Sequence, residues 1–181
     1  MNTSQQYNAV IAECRALFEK KTKDYGSSWR ILRAPSMTDQ IFIKAKRIRS
    51  IQMSGTQKVN DDIRDDFIGI INYSIMALAQ LELGDTDTPD LSGEKALALY
   101  DQYAQAAQDL MMAKNHDYDE AWRDFRQCTF VDLILQKILR TKQIESNDGK
   151  TLASEGVDAN YYDMINYAIF ALIKMEKSTN R

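Results

Sequence analysis

Lys21-Thr22-Lys23-Asp24-Tyr25-Gly26-Ser27-Ser28-Trp29-Arg30 reappears, 93 residues further on, as Lys114-Asn115-His116-Asp117-Tyr118-Asp119-Glu120-Ala121-Trp122-Arg123. Extending that register lays residues 21–52 over 114–145 and adds the identical pairs Arg33/Arg126, Asp39/Asp132, Ile41/Ile134, Lys44/Lys137, Arg47/Arg140 and Ile51/Ile144. Eleven of thirty-two columns are then identical, where composition alone predicts roughly two. After one inserted residue the register resumes at a shift of 94. Ile71-Asn72-Tyr73 falls on Ile165-Asn166-Tyr167, and Ile75, Ala77, Leu78 and Glu82 fall on Ile169, Ala171, Leu172 and Glu176. The chain is an internal duplication.

Each copy reads as three helices. In the first, Tyr7, Val10, Ile11, Cys14, Leu17 and Phe18 recur at helical spacing, and Tyr100, Tyr103, Ala104, Ala107, Leu110 and Met111 keep the stripe. Thr3 with Gln6 forms a plausible capping box at its start. The second helix is expected to begin near Ser36 or Thr38, its twin near Thr129. The third is expected from about Asp61 to Leu83, its twin from about Val157 to Lys177. Gly84 to Asp90 is polar and breaker-rich and reads as a linker. The organisation is therefore a first helical repeat over 1–83, a linker over 84–92 and a second repeat over 93–181. One such unit has a small core. The expected fold is all-α, two tandem three-helix units packed as an internal pseudo-dimer helical bundle.

Composition supports this and narrows the function. Of 181 residues, 44% are hydrophobic and 27% charged, with only 7 glycines and 2 prolines, so the chain can bury a core of long helices. A net charge of -3 argues against a grip on polymeric nucleic acid, which needs a broad basic surface. Cys14 and Cys128 have no CxxC spacing, against a zinc site or disulfide framework. The most apolar stretches, 67–83 and 161–173, are too short and polar to span a bilayer. No signal-peptide pattern opens the chain, so the cytoplasm is the expected location. Homo-oligomerisation is compatible with all of this.

Several polar residues recur in apolar places. On a helical wheel Lys44 lands among Met37, Ile41, Ala45, Ile48 and Ile51, with Arg47 at the edge; Lys137 sits likewise among Phe130, Ile134, Ile138 and Ile144. An ammonium there must snorkel outward, pair with an internal acid such as Asp39, Asp24 or an acid of the third helix, or meet an anion from outside. A Lys-x-x-Arg face, Lys44 with Arg47 and Lys137 with Arg140, suits a phosphate. Asn72 and Asn166 either fix helix register or read a ligand's polar edge. Tyr25 and Trp29, with Tyr118 and Trp122, are aromatics beside basic residues; they either plug the core end or stack on a base. Lys21, Arg33, Lys114 and Arg126 complete the candidate ligand-binding set. Asp62, Asp65 and Asp66 crowd the start of the third helix, as a charged helix start or, with Asp163, as a metal site. Asp163 stands where the first copy has Gly69. No catalytic residue is assigned, and no nucleophile triad or glycine-rich phosphate loop is present.

The pattern Lys21-x-x-Asp24-Tyr25-Gly26-x-x-Trp29, then Asp39 with Lys44 and Arg47, then Ile71-Asn72-Tyr73, resembles the nucleotide modification associated domain 1 family, and two-copy members are similar over essentially the whole length. The resemblance implies a link to nucleotide or modified-base metabolism. A looser likeness is to the all-α nucleoside triphosphate pyrophosphatases of the MazG type, which hold magnesium through an ExxE helix and a later ExxD helix. This chain offers Asp39, Lys44 and Arg47 where the ExxE would stand. Asp62-Ile63-Arg64-Asp65 approximates the later motif, and Glu155-Gly156-Val157-Asp158 spells it in a loop-like stretch. The expectation is a protein that binds a nucleotide or modified nucleotide between its helices. The alternatives are a magnesium-dependent hydrolase of nucleoside triphosphates and a non-catalytic interaction protein.

Overall fold

The computed structural model describes residues 1–179. Its α-helices run Thr3–Tyr25 (α1), Ala34–Ser54 (α2), Ile63–Leu83 (α3), Gly93–Tyr118 (α4), Gln127–Ser146 (α5) and Val157–Thr179 (α6), with single 3-10 turns at Ser28–Ile31 and Ala121–Asp124. No strand occurs among the described residues, and no helix is long and apolar enough to cross a membrane.

Local chemistry sets the ends. Asn2 caps α1 in a reciprocal box with Gln5, at 2.9 and 3.0 Å. The expected Thr3–Gln6 box lies one residue too late, because Asn2 is the stronger cap. Both second helices start two residues before the hydroxyl side chains expected to mark them, with Arg33 and Arg126 at the caps. Pro35 sits in the first turn of α2, where its missing N–H costs nothing. The third helix starts at Ile63 rather than Asp61, because the Asp62 side chain accepts from Arg64 N at 2.9 Å and so takes the cap position.

Helices α3 and α6 are apolar on nearly every side and lie against each other at the centre, with α2 and α5 packed together beside them. The helices α1 and α4 cross between the copies, α1 touching α6 as well as its own α3, and α4 doing the reverse. The buried apolar side chains of both repeats form one cluster. The two copies share one core.

Two hydrogen bonds, related by the duplication, lock the copies together. Tyr7 of α1 donates to Asn166 Oδ1 at 2.7 Å, and Tyr100 of α4 donates to Asn72 Oδ1 at 2.8 Å. Each asparagine also donates at 3.1 Å to a carbonyl of its own copy's first helix, Asn72 to Cys14 and Asn166 to Ala107. Burial pushes both phenols far up from their ordinary range, which keeps them protonated and donating. Asn72 is buried, and register-fixing is the role its bonds serve. At the surface, Arg49–Asp132 and Lys142–Asp39 repeat the reciprocity at 3.8 and 2.9 Å. These half-exposed pairs are worth at most about 1 kcal/mol each.

Candidate functional site

Each repeat folds its recurring motif around a cleft. In the first, the end of α1 brings Lys21, Thr22 and Tyr25, the 3-10 turn brings Trp29, α2 brings Lys44, and α3 brings Asp65, Gly69, Tyr73 and Met76. The cleft measures about 860 Å³. In the second, Lys114, Asn115, Tyr118, Trp122, Lys137, Asp163, Tyr167 and Phe170 occupy the equivalent places around about 390 Å³. Tyr25 and Tyr118 are 70% and 69% exposed at the rims. The indoles, more deeply set, form the walls.

The clefts differ in charge balance. In the second, Asp163 takes both cations, Lys114 at 3.0 Å and Lys137 at 2.9 Å, with Asp163 and Lys137 only 13% and 14% exposed. Partial burial works against the Lys114 ammonium, yet the hydrogen bond and charge of Asp163 outweigh it and raise its pKa. This is the internal pairing with a third-helix acid that an apolar-face lysine invites. In the first cleft Gly69 stands at the position of Asp163, and neither Lys21 nor Lys44 forms an ion pair among the described residues. The Lys44 chain instead lies across Gly69: a Cβ added there would fall 2.5 Å from Lys44 Cδ and Cε. Its ammonium stands 5.8 Å from the centre of the Tyr73 ring.

The indole N–H groups divide in the same way. Trp122 donates to Asn115 Oδ1 at 3.1 Å. Trp29 has Thr22 in that place, whose hydroxyl donates to Phe18 O at 2.8 Å. The Trp29 N–H is buried and has no hydrogen-bond partner among the described residues, a state that costs roughly 1–3 kcal/mol.

The other candidate residues fall outside this arrangement. Arg33 and Arg126 are exposed at the starts of α2 and α5 and line neither cleft. Arg47 is spent on Asp66 and on the Asp61 carbonyl at 2.7 Å, tying the loop before α3 to α2. Arg140 shares a groove with Lys137, Asn147 and Lys150, beside the cleft that holds Asp163. In the first copy the Lys-x-x-Arg face is divided, with Arg47 engaged by Asp66, and in the second Lys137 is held by Asp163 while Arg140 lines the groove beside it. Although Asn72 and Asn166 edge the clefts, their amides are engaged between helices.

The four acids proposed for a metal do not converge. Asp62 caps α3, Asp66 holds Arg47, and Asp163 lies in the other cleft between two lysines. Asp65 alone remains, with Asp61 beside it in the lining. Among the described residues no group of three His, Cys, Asp or Glu side chains could hold a metal ion. The donor set does not fit magnesium held by the protein alone. Cys14, whose thiol burial pushes up to about 12, is no nucleophile at neutral pH.

The weighing of the lysines has a direct consequence. Lys137→Met leaves the largely buried Asp163 with one cation and is expected to cost about 2 kcal/mol. Lys44→Met removes an ammonium with no counter-ion and is expected to change stability by less than about 0.5 kcal/mol. Urea denaturation of the two variants checks this; equal losses would mean that Lys44 has a strong internal partner.

Fold and site define a duplicated all-helical bundle in which one copy's cleft is open in charge and the other's is closed upon itself. The chain belongs to the family nucleotide modification associated domain 1, whose model matches residues 21–81 and 114–175. These segments hold the motifs that line the two clefts. No curated protein and no solved structure matches the chain. The family name associates the domain with nucleotide modification.

Proposed function

We propose that the first-repeat cleft binds a nucleotide or modified nucleotide. Lys21 and Lys44 meet the phosphate, while Tyr25, Trp29 and Tyr73 flank the base. One observation carries this reading. The cleft gathers two lysines that form no ion pair among the described residues, although Asp61, Asp65 and Asp66 also line it, and an indole N–H without an acceptor there, in a family named for nucleotide modification. A phosphate would give these two ammonium groups the anion that neither is paired with among the described residues. Asp61 and Asp65 at the rim stand where amino groups of a base, or a cation carried in with the phosphate, would find acceptors. A free nucleotide suits the site better than a polymer, since the chain carries a net charge of -3.

A thermal-shift screen with ribo- and deoxynucleoside mono- and triphosphates tests the proposal. A ligand at 100 times its dissociation constant adds about 2.7 kcal/mol, which for a chain of this size raises Tm by about 5–10 °C. Stabilisation by at least one nucleotide, lost in Lys44→Met, is the expected result. No shift with any of them at millimolar concentration would sink the proposal.

A further inference from the structure

The second repeat differs from the first at the very places where the first lacks partners. Asp163 puts a carboxylate between the two lysines where the first repeat has Gly69. Asn115 puts an amide oxygen on the indole N–H where the first has Thr22 and an unpaired N–H. Phe170 lays a ring parallel to Trp122, centroids 4.1 Å apart and planes at 6°, where the first repeat has the flexible thioether of Met76. The space bounded by Lys114, Trp122, Asp163 and Phe170 measures about 390 Å³, and the side of Lys137 that faces Glu155 and Asn160 opens into a neighbouring groove. Three substitutions supply an anion, a neutral acceptor and a flat ring, and all three fill the same cleft.

We infer that the second repeat is a closed pseudo-site whose own side chains supply the groups that the first repeat takes from its ligand, so that the chain binds one ligand, in the first repeat. This rests on the reading of the first cleft as a nucleotide site and adds the ligand's layout. Its anion lies over Gly69, between Lys21 and Lys44. Its ring stacks on Trp29 toward Met76, and an acceptor reaches toward the Trp29 N–H. The choice between glycine and aspartate decides which cleft is open. Glycine inside α3 is less favourable than alanine, so leaving that position bare sacrifices helix stability for space and charge.

The exchange is testable on the full chain. Inorganic pyrophosphate serves as the anion probe, read by calorimetric titration, with cooperative urea unfolding as the check of folding. Wild type is expected to bind at one site. Gly69→Asp displaces the flexible end of Lys44, puts a carboxylate beside the two lysines and is expected to weaken binding at least tenfold. Asp163→Gly frees Lys114 and Lys137 and is expected to add a second site. Asp163→Ala repeats that test without a helix glycine. Two equivalent sites in wild type, or a single site that survives Gly69→Asp, would overturn the inference. If wild type binds neither pyrophosphate nor any nucleotide, the nucleotide reading falls, and the Asp163 variants still decide the closed site. A gain of pyrophosphate binding in them upholds it, and no gain overturns it.

Discussion

A fragment of residues 1–90 is expected to fail as a cooperatively folded monomer. It keeps all three helices of the first repeat and the pair between buried Arg30 and Asp90, at 2.9 Å. It loses the partner against which α3 is buried. In the whole chain Phe67, Ile70 and Ile71 are without exposed surface, and α3 lies on α6 at the centre. Removing the second repeat also takes away Tyr100, the donor to Asn72. A unit of this size buries too small a fraction of its surface to offset chain entropy. The fragment should be largely unfolded when dilute. At higher concentration it should pair with a second copy, α3 standing in for α6. Sedimentation together with urea-induced loss of ellipticity would show this. A compact monomer with a sharp transition would mean that each repeat is a domain in its own right.

The second large effect is expected at the crossed tyrosine–asparagine bonds. Asn166→Ala strands the Tyr7 hydroxyl, which has no exposed surface, and leaves a void beside it. A loss of about 3 kcal/mol is expected. Tyr7→Phe alone removes the donor and should cost about 1–2 kcal/mol. Together the two should cost less than their sum by about 1 kcal/mol or more, since phenylalanine no longer buries a hydroxyl without an acceptor. The same cycle on Tyr100 and Asn72 should give a similar coupling, because the two contacts are copies. Strict additivity in both cycles would deny these bonds their role in joining the repeats.

The duplication and the all-helical bundle were legible because they rest on many residues at once: identities at a fixed shift and apolar stripes at helical spacing. The core-facing lysines were legible as well, since a wheel needs only the helix to be present. Their partners were not. The wheel that finds Lys44 and Lys137 is blind to which acid of another helix reaches them. In sequence, Asp163 opposite Gly69 is only one acid that the copies do not share. In space it is the change that gives the second cleft's lysines an acid to pair with and leaves the first cleft's lysines without one. Thr22 against Asn115 and Met76 against Phe170 carried the same signal. They went unread because attention to identical columns passes over substitutions that compensate for one another. Helix starts at Arg33 and Arg126 were missed because neither side chain caps its helix. No contact in the structure accounts for the arginine retained at both.

The central claim is that two lysines and an indole of the first repeat wait for groups that the second repeat already contains. Diffraction from crystals soaked with the nucleotide that most raises Tm tests this most directly. The prediction is density in the first cleft alone, with phosphate oxygens within hydrogen-bond reach of Lys21 and Lys44 and a base against Trp29. Density in the second cleft with Asp163 displaced, or at the Arg140 groove with the first cleft vacant, would contradict it.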